Sequence, residues 1–133
     1  MSEMETDIDA SWGVDFTGDQ TVKFMELDFR EKPYGAWMCL KFAHESGKRA
    51  SVSGNLFTAA NPAENLKTAN RITMEMLGEV FRAFGLNEAD MPAKNPAAIK
   101  KALEAYVENV SVIGTIGKDS DGKYDTIKKF AKA

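Results

Sequence analysis

The sequence predicts a mainly β domain in which five strands form a small closed barrel and two helices lie between the third and fourth strands. Apolar residues recur with the two-residue period of strands over about residues 21–57 and 110–130, and with a helical period in between. A length of 133 residues suits one domain. The competing architecture is an open antiparallel sheet with helices on one face. Glycines at positions 54 and 114, where strands can bend, favour the barrel.

The first predicted strand, residues 21–29, changes the phase of its apolar pattern. Val22 and Phe24 share one parity, whereas Met25, Leu27 and Phe29 have the other. A β-bulge at residues 24–25 would return all five side chains to one face. Such a bend is what the first strand of a small barrel needs.

The second strand is the most apolar short run of the chain, and the third follows after a turn at residues 45–48. Alternation places two sets of second-strand residues on opposite faces, with Ala36, Met38, Leu40 and Phe42 towards the core and Trp37, Cys39 and Lys41 away from it. The third strand, residues 49–57, directs Ala50, Val52, Gly54 and Leu56 to the core face.

Two helices are predicted from start signals and apolar stripes. Asn61-Pro62 begins the first, and Gly85-Leu86 ends it. Its stripe comprises Leu66, Ala69, Ile72, Met76, Val80 and Phe84, widened by Leu77 and Phe81. Asn95-Pro96 begins a second helix that ends near Asn109. Strands at 110–116 and 124–130 then form a hairpin, with the closing strand presenting Tyr124, Thr126, Lys128 and Phe130 on one face and Asp125, Ile127 and Lys129 on the other.

Five strands with helix between the third and fourth is the element order of the OB-fold barrel. We expect a single such domain at residues 12–133, preceded by a disordered acidic arm at residues 1–11. The first nineteen residues contain six acidic and no basic residues, which leaves 17 basic against 14 acidic residues in the rest. The arm is either a solvated terminus or a segment that competes with a polyanion for the basic body.

Targeting and redox signals indicate a protein of a reducing compartment. Cys39 is the only cysteine, so no internal disulfide forms. The N-terminal residues lack the apolar run of a signal peptide, and no stretch has the length of a transmembrane helix. We therefore expect a cytoplasmic protein without a membrane partner.

Catalytic and metal-binding motifs are weak. Cys39 and His44 fall on opposite faces of one strand, which disfavours a nucleophile–base pair. The segment from Asp119 to Asp125 resembles a calcium loop, but Phe130 stands where the bidentate glutamate belongs. We expect no enzyme activity, no metal and no cofactor.

Aromatic and basic residues on the barrel strands predict a binding surface for single-stranded nucleic acid. Single-stranded nucleic acid is bound by stacking of its bases on aromatic rings and by cations along its phosphates. OB-folds place this surface on strands two and three and on two loops. The corresponding residues are Tyr34, Trp37, Lys41, Lys48, Arg49, Phe57, Lys123, Tyr124 and Lys128. The competing interpretation is that Trp37 and Phe57 pack under the helices and that the lysines are only solvated.

Over residues 12–130 the chain resembles small phage-encoded single-stranded DNA-binding proteins of OB-fold type. This group includes related uncharacterised phage proteins found among replication and recombination genes. The resemblance lies in the Trp37 strand, in the helix from Asn61-Pro62 to Phe84-Gly85-Leu86, and in the segment from Gly122 to Phe130. It implies a non-enzymatic DNA-binding protein of the bacterial host cytoplasm, with phage or host replication and recombination proteins as partners. A homo-oligomer stays open.

The charge distribution departs from this family. T7-type members carry an acidic C-terminal tail that recruits partners and competes with DNA, whereas this chain ends in basic residues and is acidic at its N-terminus. Either the N-terminal arm has that role or the role is absent. The alternative function is a phage protein-interaction module that binds a host factor through its acidic arm.

Overall fold

The computed structural model describes residues 17–58, 63–87, 89, 91, 95–118 and 122–133. Its elements, in chain order, are β1 (Gly18–Lys32), β2 (Gly35–Ala43), β3 (Arg49–Phe57), α1 (Glu64–Ala83), α2 (Pro96–Glu104), β4 (Ser111–Lys118) and β5 (Asp125–Lys132). The predicted acidic arm, the Asn61-Pro62 helix start and the hairpin tip at residues 119–121 lie outside the described residues.

The strands form a closed barrel in the order β1-β2-β3-β5-β4, and β4 pairs with β1 to complete the ring. Every pairing is antiparallel except that of β3 with β5, which is parallel and consists of Ser51 opposite Thr126. Closure confirms the predicted five-stranded, OB-fold-like barrel with two helices between its third and fourth strands. It rules out the open-sheet alternative.

The predicted bulge in β1 is confirmed. Phe24 pairs with Phe42 and Glu26 with Lys41, so Met25 is the extra residue. Val22 and Phe24 before the bulge are buried, and Leu27 and Phe29 after it pack against the same core. Met25 itself lines a groove outside the core, so the bulge brings four of the five apolar residues together.

Alternation along β2 and β3 is also confirmed. The even-numbered residues of β2 are buried, and Phe42 contacts Phe24 with 5.3 Å between ring centroids. Ala50 and Leu56 of β3 face the same core. Phe24 also contacts Phe84 beyond the end of α1, at 5.2 Å, which joins the helix to the barrel interior.

α1 packs along the seam where β3 and β5 separate beyond their one pairing. The buried Asn70 side chain accepts a hydrogen bond from the Phe57 amide at 2.8 Å and donates one to the Phe57 carbonyl at 2.9 Å. Across the seam, a Glu79 carboxylate oxygen accepts a hydrogen bond from the Phe130 amide at 3.0 Å. Side chains of the helix therefore satisfy backbone groups of both strands.

The buried stripe of α1 differs from the predicted one. Ile72 is 56% exposed, whereas Asn70 and Thr73 are buried. The helix meets the strands closely through these two small polar residues, and this contact turns Ile72 towards solvent. The prediction for Ile72 was wrong because the apolar period does not reveal where polar side chains bond to strand backbone.

The helix ends follow the sequence signals in part. α1 begins after Ala63 without a side-chain cap, and it ends in a Schellman motif, in which Gly85 has φ 84° and the Leu86 amide donates to the Phe81 carbonyl. Asn95 caps α2 as predicted, with its side chain accepting from the Ala98 amide. α2 ends at Glu104 and not at the predicted Asn109. Residues 105–109 form turns instead.

β5 contains a second bulge, which was not predicted from the sequence. Lys129 pairs with Thr115 and Ile127 with Ile116, so Lys128 has no partner on β4. Ile127 is buried and Phe130 packs against the core, although the simple alternation put them on opposite faces. The predicted two-face assignment of β5 is therefore wrong beyond Ile127.

Within the described ranges, neither helix has the length and apolar character needed to cross a membrane.

Gly54→Ala should destabilise the fold by about 1–3 kcal/mol, the usual cost of overpacking. A Cβ at Gly54 would lie 2.8 Å from Oγ1 and 2.9 Å from Cγ2 of the buried Thr73, so α1 would have to move. Urea unfolding measures the change. Adding Thr73→Ala should recover part of the loss, with Thr73→Ala alone as the control. Equal stability of Gly54→Ala and the parent protein would contradict this packing.

Candidate nucleic-acid interface

The outward-facing side chains of β1, β2 and β3 form three rows across the barrel. The rows are fixed by strand register, and they are Arg30–Trp37–Asn55, Asp28–Cys39–Ser53 and Glu26–Lys41–Ser51. The third row continues onto β5, because Ser51 lies opposite Thr126. α1 packs on the inward side of β3, at Gly54, so these rows lie on the opposite face of the sheet.

An aromatic group, defined as Trp37, Tyr34 and Phe57, lies at one end of this face. Trp37 lies outside the core and is partly exposed. Tyr34, 38% exposed, contacts the half-buried Phe57 with 4.8 Å between ring centroids. The Tyr34 hydroxyl donates to Oδ1 of Asn55, which is the register partner of Trp37. The side chains of Trp37 and Phe57 thus lie on the outer face of the barrel, although the Phe57 backbone is bound by Asn70 of α1.

Arg30 covers part of the Trp37 ring. Its guanidinium carbon lies 5.4 Å from the ring centroid, within range of a cation–π contact. The guanidinium also lies 3.4 Å from the Asp28 carboxylate. Trp37 therefore presents a flat aromatic surface beside a cation, which suits a base stacked next to a phosphate.

A cationic cleft of about 340 Å³ lies at the other end of the face, where β2 and β3 meet the start of β5. The side chains that define it are Lys41, Arg49, Ser51, Lys123, Tyr124 and Asp125. Tyr124 is 70% exposed, and it is the most exposed of the large apolar side chains in the described residues. Four of the nine predicted site residues therefore come together here.

Carboxylates reduce the positive charge of the face. Lys41 lies 3.6 Å from Glu26, and Asp125 lies 2.8 Å from Lys118. Within the described residues, Arg49 makes no ion pair. Because these pairs are solvent-exposed, each contributes at most about 1 kcal/mol, and a phosphate can compete for the cation.

Two predicted residues lie away from the cleft. Lys48 belongs to the β2–β3 turn, where its carbonyl accepts a hydrogen bond from the His44 amide. The Lys128 side chain runs across Gly117 on β4. The aromatic group and the cleft are also separate, because Trp37 and Lys41 are four residues apart on β2, or about 13 Å.

Arg30 and Asn55 also belong to this face, and neither was predicted from the sequence. The predicted bulge contained the signal for Arg30, because placing Leu27 and Phe29 inward places Glu26, Asp28 and Arg30 outward. Asn55 could not be recognised from the sequence, because only the strand register places it opposite Trp37, where it also accepts the hydrogen bond from Tyr34.

Cys39 lies on the outer face but is only 7% exposed. Burial raises the pKa of its thiol, and a hydrogen bond with Ser51 and the nearby Lys41 offset only part of that shift. His44 bonds within its own turn, with Nδ1 2.8 Å from the Ser46 hydroxyl oxygen. Among the described residues, no group of three His, Cys, Asp or Glu side chains could hold a metal ion.

In comparisons with known proteins, no family model matches the chain, and no curated protein matches it either.

Cys39 should react with a thiol reagent at least about tenfold more slowly in the folded protein than in urea at neutral pH. Its raised pKa leaves less thiolate than an ordinary cysteine has, so the folded-state rate should keep increasing at pH values where the rate of the unfolded protein has levelled off. Stopped-flow kinetics with an aromatic disulfide measures both effects. Equal folded and unfolded rates at pH 7 would show that the thiol is exposed.

Proposed function

We propose that this protein is a non-enzymatic, sequence-tolerant single-stranded DNA-binding protein. The observation that carries the proposal is the outer face of β2 and β3, which has partly exposed aromatic rings at one end and a cationic cleft at the other. Strands two and three and their adjoining loops are where OB-fold barrels bind oligonucleotides. The OB-fold-like architecture and the composition of this face thus support the same function.

Stacking would supply most of the affinity. Each base stacked on an aromatic ring contributes about 1–3 kcal/mol, and every base has such a face. Trp37 and Tyr124 are the two rings best placed for stacking, at opposite ends of the face. The small side chains of Cys39, Ser51 and Ser53 between them would let a strand lie close to the sheet.

Cations would track the phosphates. Arg49, Lys41 and Lys123 line the cleft, and Arg30 lies beside Trp37. Neutralising each phosphate on a single strand changes the logarithm of affinity by about 0.7 per tenfold change in salt. Three or four contacts therefore give a slope of about −2 to −3, which makes binding modest and salt-sensitive.

The biological setting of the proposal comes from the sequence resemblance. The related phage proteins are found among replication and recombination genes, so the proposal includes a role in one of these processes in the cytoplasm of a bacterial host. There the protein would coat single strands and meet phage or host replication proteins.

Trp37→Ala should weaken binding to oligo-dT by about 10- to 100-fold at low salt, because it removes one stacked base. The chain has two tryptophans, so a Trp12→Phe background assigns the fluorescence change to Trp37. Trp37 emission in that background should be quenched on titration with oligo-dT, and anisotropy of labelled DNA should report the affinity.

Trp37→Phe should keep part of the affinity, and Ile72→Ala, at an exposed position on α1, should keep all of it. Circular dichroism and thermal unfolding should be unchanged in each variant, since Trp37 lies outside the core. Absence of quenching and of any anisotropy change at micromolar protein would refute the proposal.

Deleting residues 1–11 should tighten DNA binding about three- to tenfold at low salt, because the four acidic residues removed compete with phosphates for the same cations. The difference should shrink as salt is added. A matched full-length variant with those four acids changed to amides should behave as the deletion does. The interaction-module alternative instead predicts that neither form binds DNA and that deletion abolishes binding to the host factor.

A further inference from the structure

The bulge in β5 places two consecutive lysines on the outer surface of the barrel. In a regular strand, neighbouring side chains point to opposite faces. Here Lys129 pairs with Thr115, which alternates with buried residues of β4. Cγ and Cε of Lys128 lie 3.5 and 3.4 Å from the position that a Cβ of Gly117 would take, so this side chain also runs over the outer surface. We call Lys128 and Lys129 the lysine pair.

The lysine pair keeps its positive charge. Within the ranges that the structure describes, neither lysine forms an ion pair. Two carboxylates of the surrounding surface have other partners, because Asp19 accepts a hydrogen bond from the Thr115 hydroxyl at 2.7 Å and Asp125 lies 2.8 Å from Lys118. Asp19 is also two strands away from Lys129, or about 10 Å. That distance is about the screening length at 0.1 M salt.

The outer surface is continuous from the cationic cleft to the lysine pair. Ser51 of the cleft lies opposite Thr126, and Thr126 pairs with Gly117, over which Lys128 lies. Adjacent strands are about 4.8 Å apart, so the step from Ser51 to Gly117 is about 10 Å. A DNA strand that leaves the cleft can therefore reach the lysine pair along the barrel surface.

The surroundings of the lysine pair suit phosphates and not bases. The outward positions of β4 carry no aromatic ring, and they are Ser111, Ile113, Thr115 and Gly117. The one ring of β5, that of Phe130, packs against the core. A lysine ammonium is a compact charge without a flat surface for stacking. Contacts here would therefore depend on salt and not on base sequence.

We propose that Lys128 and Lys129 form a second phosphate-binding patch, which extends the path of single-stranded DNA from the cleft across β5 and onto β4. The inference rests on the proposed DNA-binding function and adds that a long strand curves around the barrel. Short DNA is held on the outer face of β2 and β3, where the aromatic rings lie. Only longer DNA reaches the lysine pair.

The test compares oligo-dT of about six and about sixteen nucleotides, which spans the range of site sizes of one OB-fold. Anisotropy of labelled DNA reports binding to the full-length protein over a series of salt concentrations. Lys128→Gln/Lys129→Gln should bind the longer oligomer about five- to twentyfold more weakly at low salt, as expected for two exposed ionic contacts. Its salt slope should decrease in magnitude by about 1.4, because each lost phosphate contact removes about 0.7. Binding of the shorter oligomer should not change.

Matched variants separate the position of the lysine pair from its effect on net charge. Lys67→Gln/Lys101→Gln removes two exposed lysines from α1 and α2, and the salt slope for the longer oligomer should stay at the parent value. Lys128→Arg/Lys129→Arg keeps both charges and should keep the slope as well. Circular dichroism and melting temperature should be unchanged in every variant, since Lys128 and Lys129 are exposed.

Three results would overturn the inference while DNA binding itself persists, so the proposed function would stand. The first is an unchanged salt slope of Lys128→Gln/Lys129→Gln with the longer oligomer. The second is an equal loss in Lys67→Gln/Lys101→Gln, which would be an effect of net charge alone. The third is an equal loss for both lengths, which would place the lysine pair within the short site. Failure of both oligomers to bind the parent protein would overturn the proposed function too.

Discussion

The packing of α1 into the seam between β3 and β5 is the contact on which the rest of the structure depends. These strands share one residue pair, where the Thr126 hydroxyl also donates to the Ser51 carbonyl, and beyond it Asn70 and Glu79 of the helix bind the strand backbones. Gly54 lets the helix approach until Thr73 lies against the sheet. The helix thereby covers the inward side of β3, and the outward side of β2 and β3 is left accessible.

That accessible face combines rings, cations and carboxylates in a fixed register. Trp37 lies next to Arg30, and Lys41 next to Glu26, because the bulge at Met25 sets how β1 aligns with β2. The ion pairs between these carboxylates and cations are weak because they are exposed to solvent. A phosphate could therefore displace a carboxylate from its cation at little cost. A face of this kind favours reversible, salt-dependent binding over tight binding, which is consistent with the proposed DNA-binding function.

Much of the fold could be predicted from local pattern. The phase slip between Phe24 and Met25 indicated the bulge, alternation separated Trp37 from the core residues of β2, and Asn95 marked the start of α2. The misassigned residues depend on long-range contacts. Ile72 was predicted to be buried, but Asn70 and Thr73 contact the distant strands instead and turn Ile72 towards solvent. Phe130 was assigned to the wrong face because the bulge at Lys128 arises only when β5 pairs with β4. The convergence of Lys41, Arg49, Lys123 and Tyr124 likewise follows from barrel closure.

NMR mapping of the DNA contact surface tests the proposed binding face most directly. Amide shifts of the labelled protein are followed as oligo-dT is added at low salt. If single-stranded DNA binds the outer face of the barrel, the shifts will be concentrated in β2, β3 and residues 122–126, and the solvent side of α1 around Arg71 and Glu75 will be unchanged. Shifts confined to α1 or to the groove along Asp19–Met25, or no shifts at all, would contradict the proposed binding face.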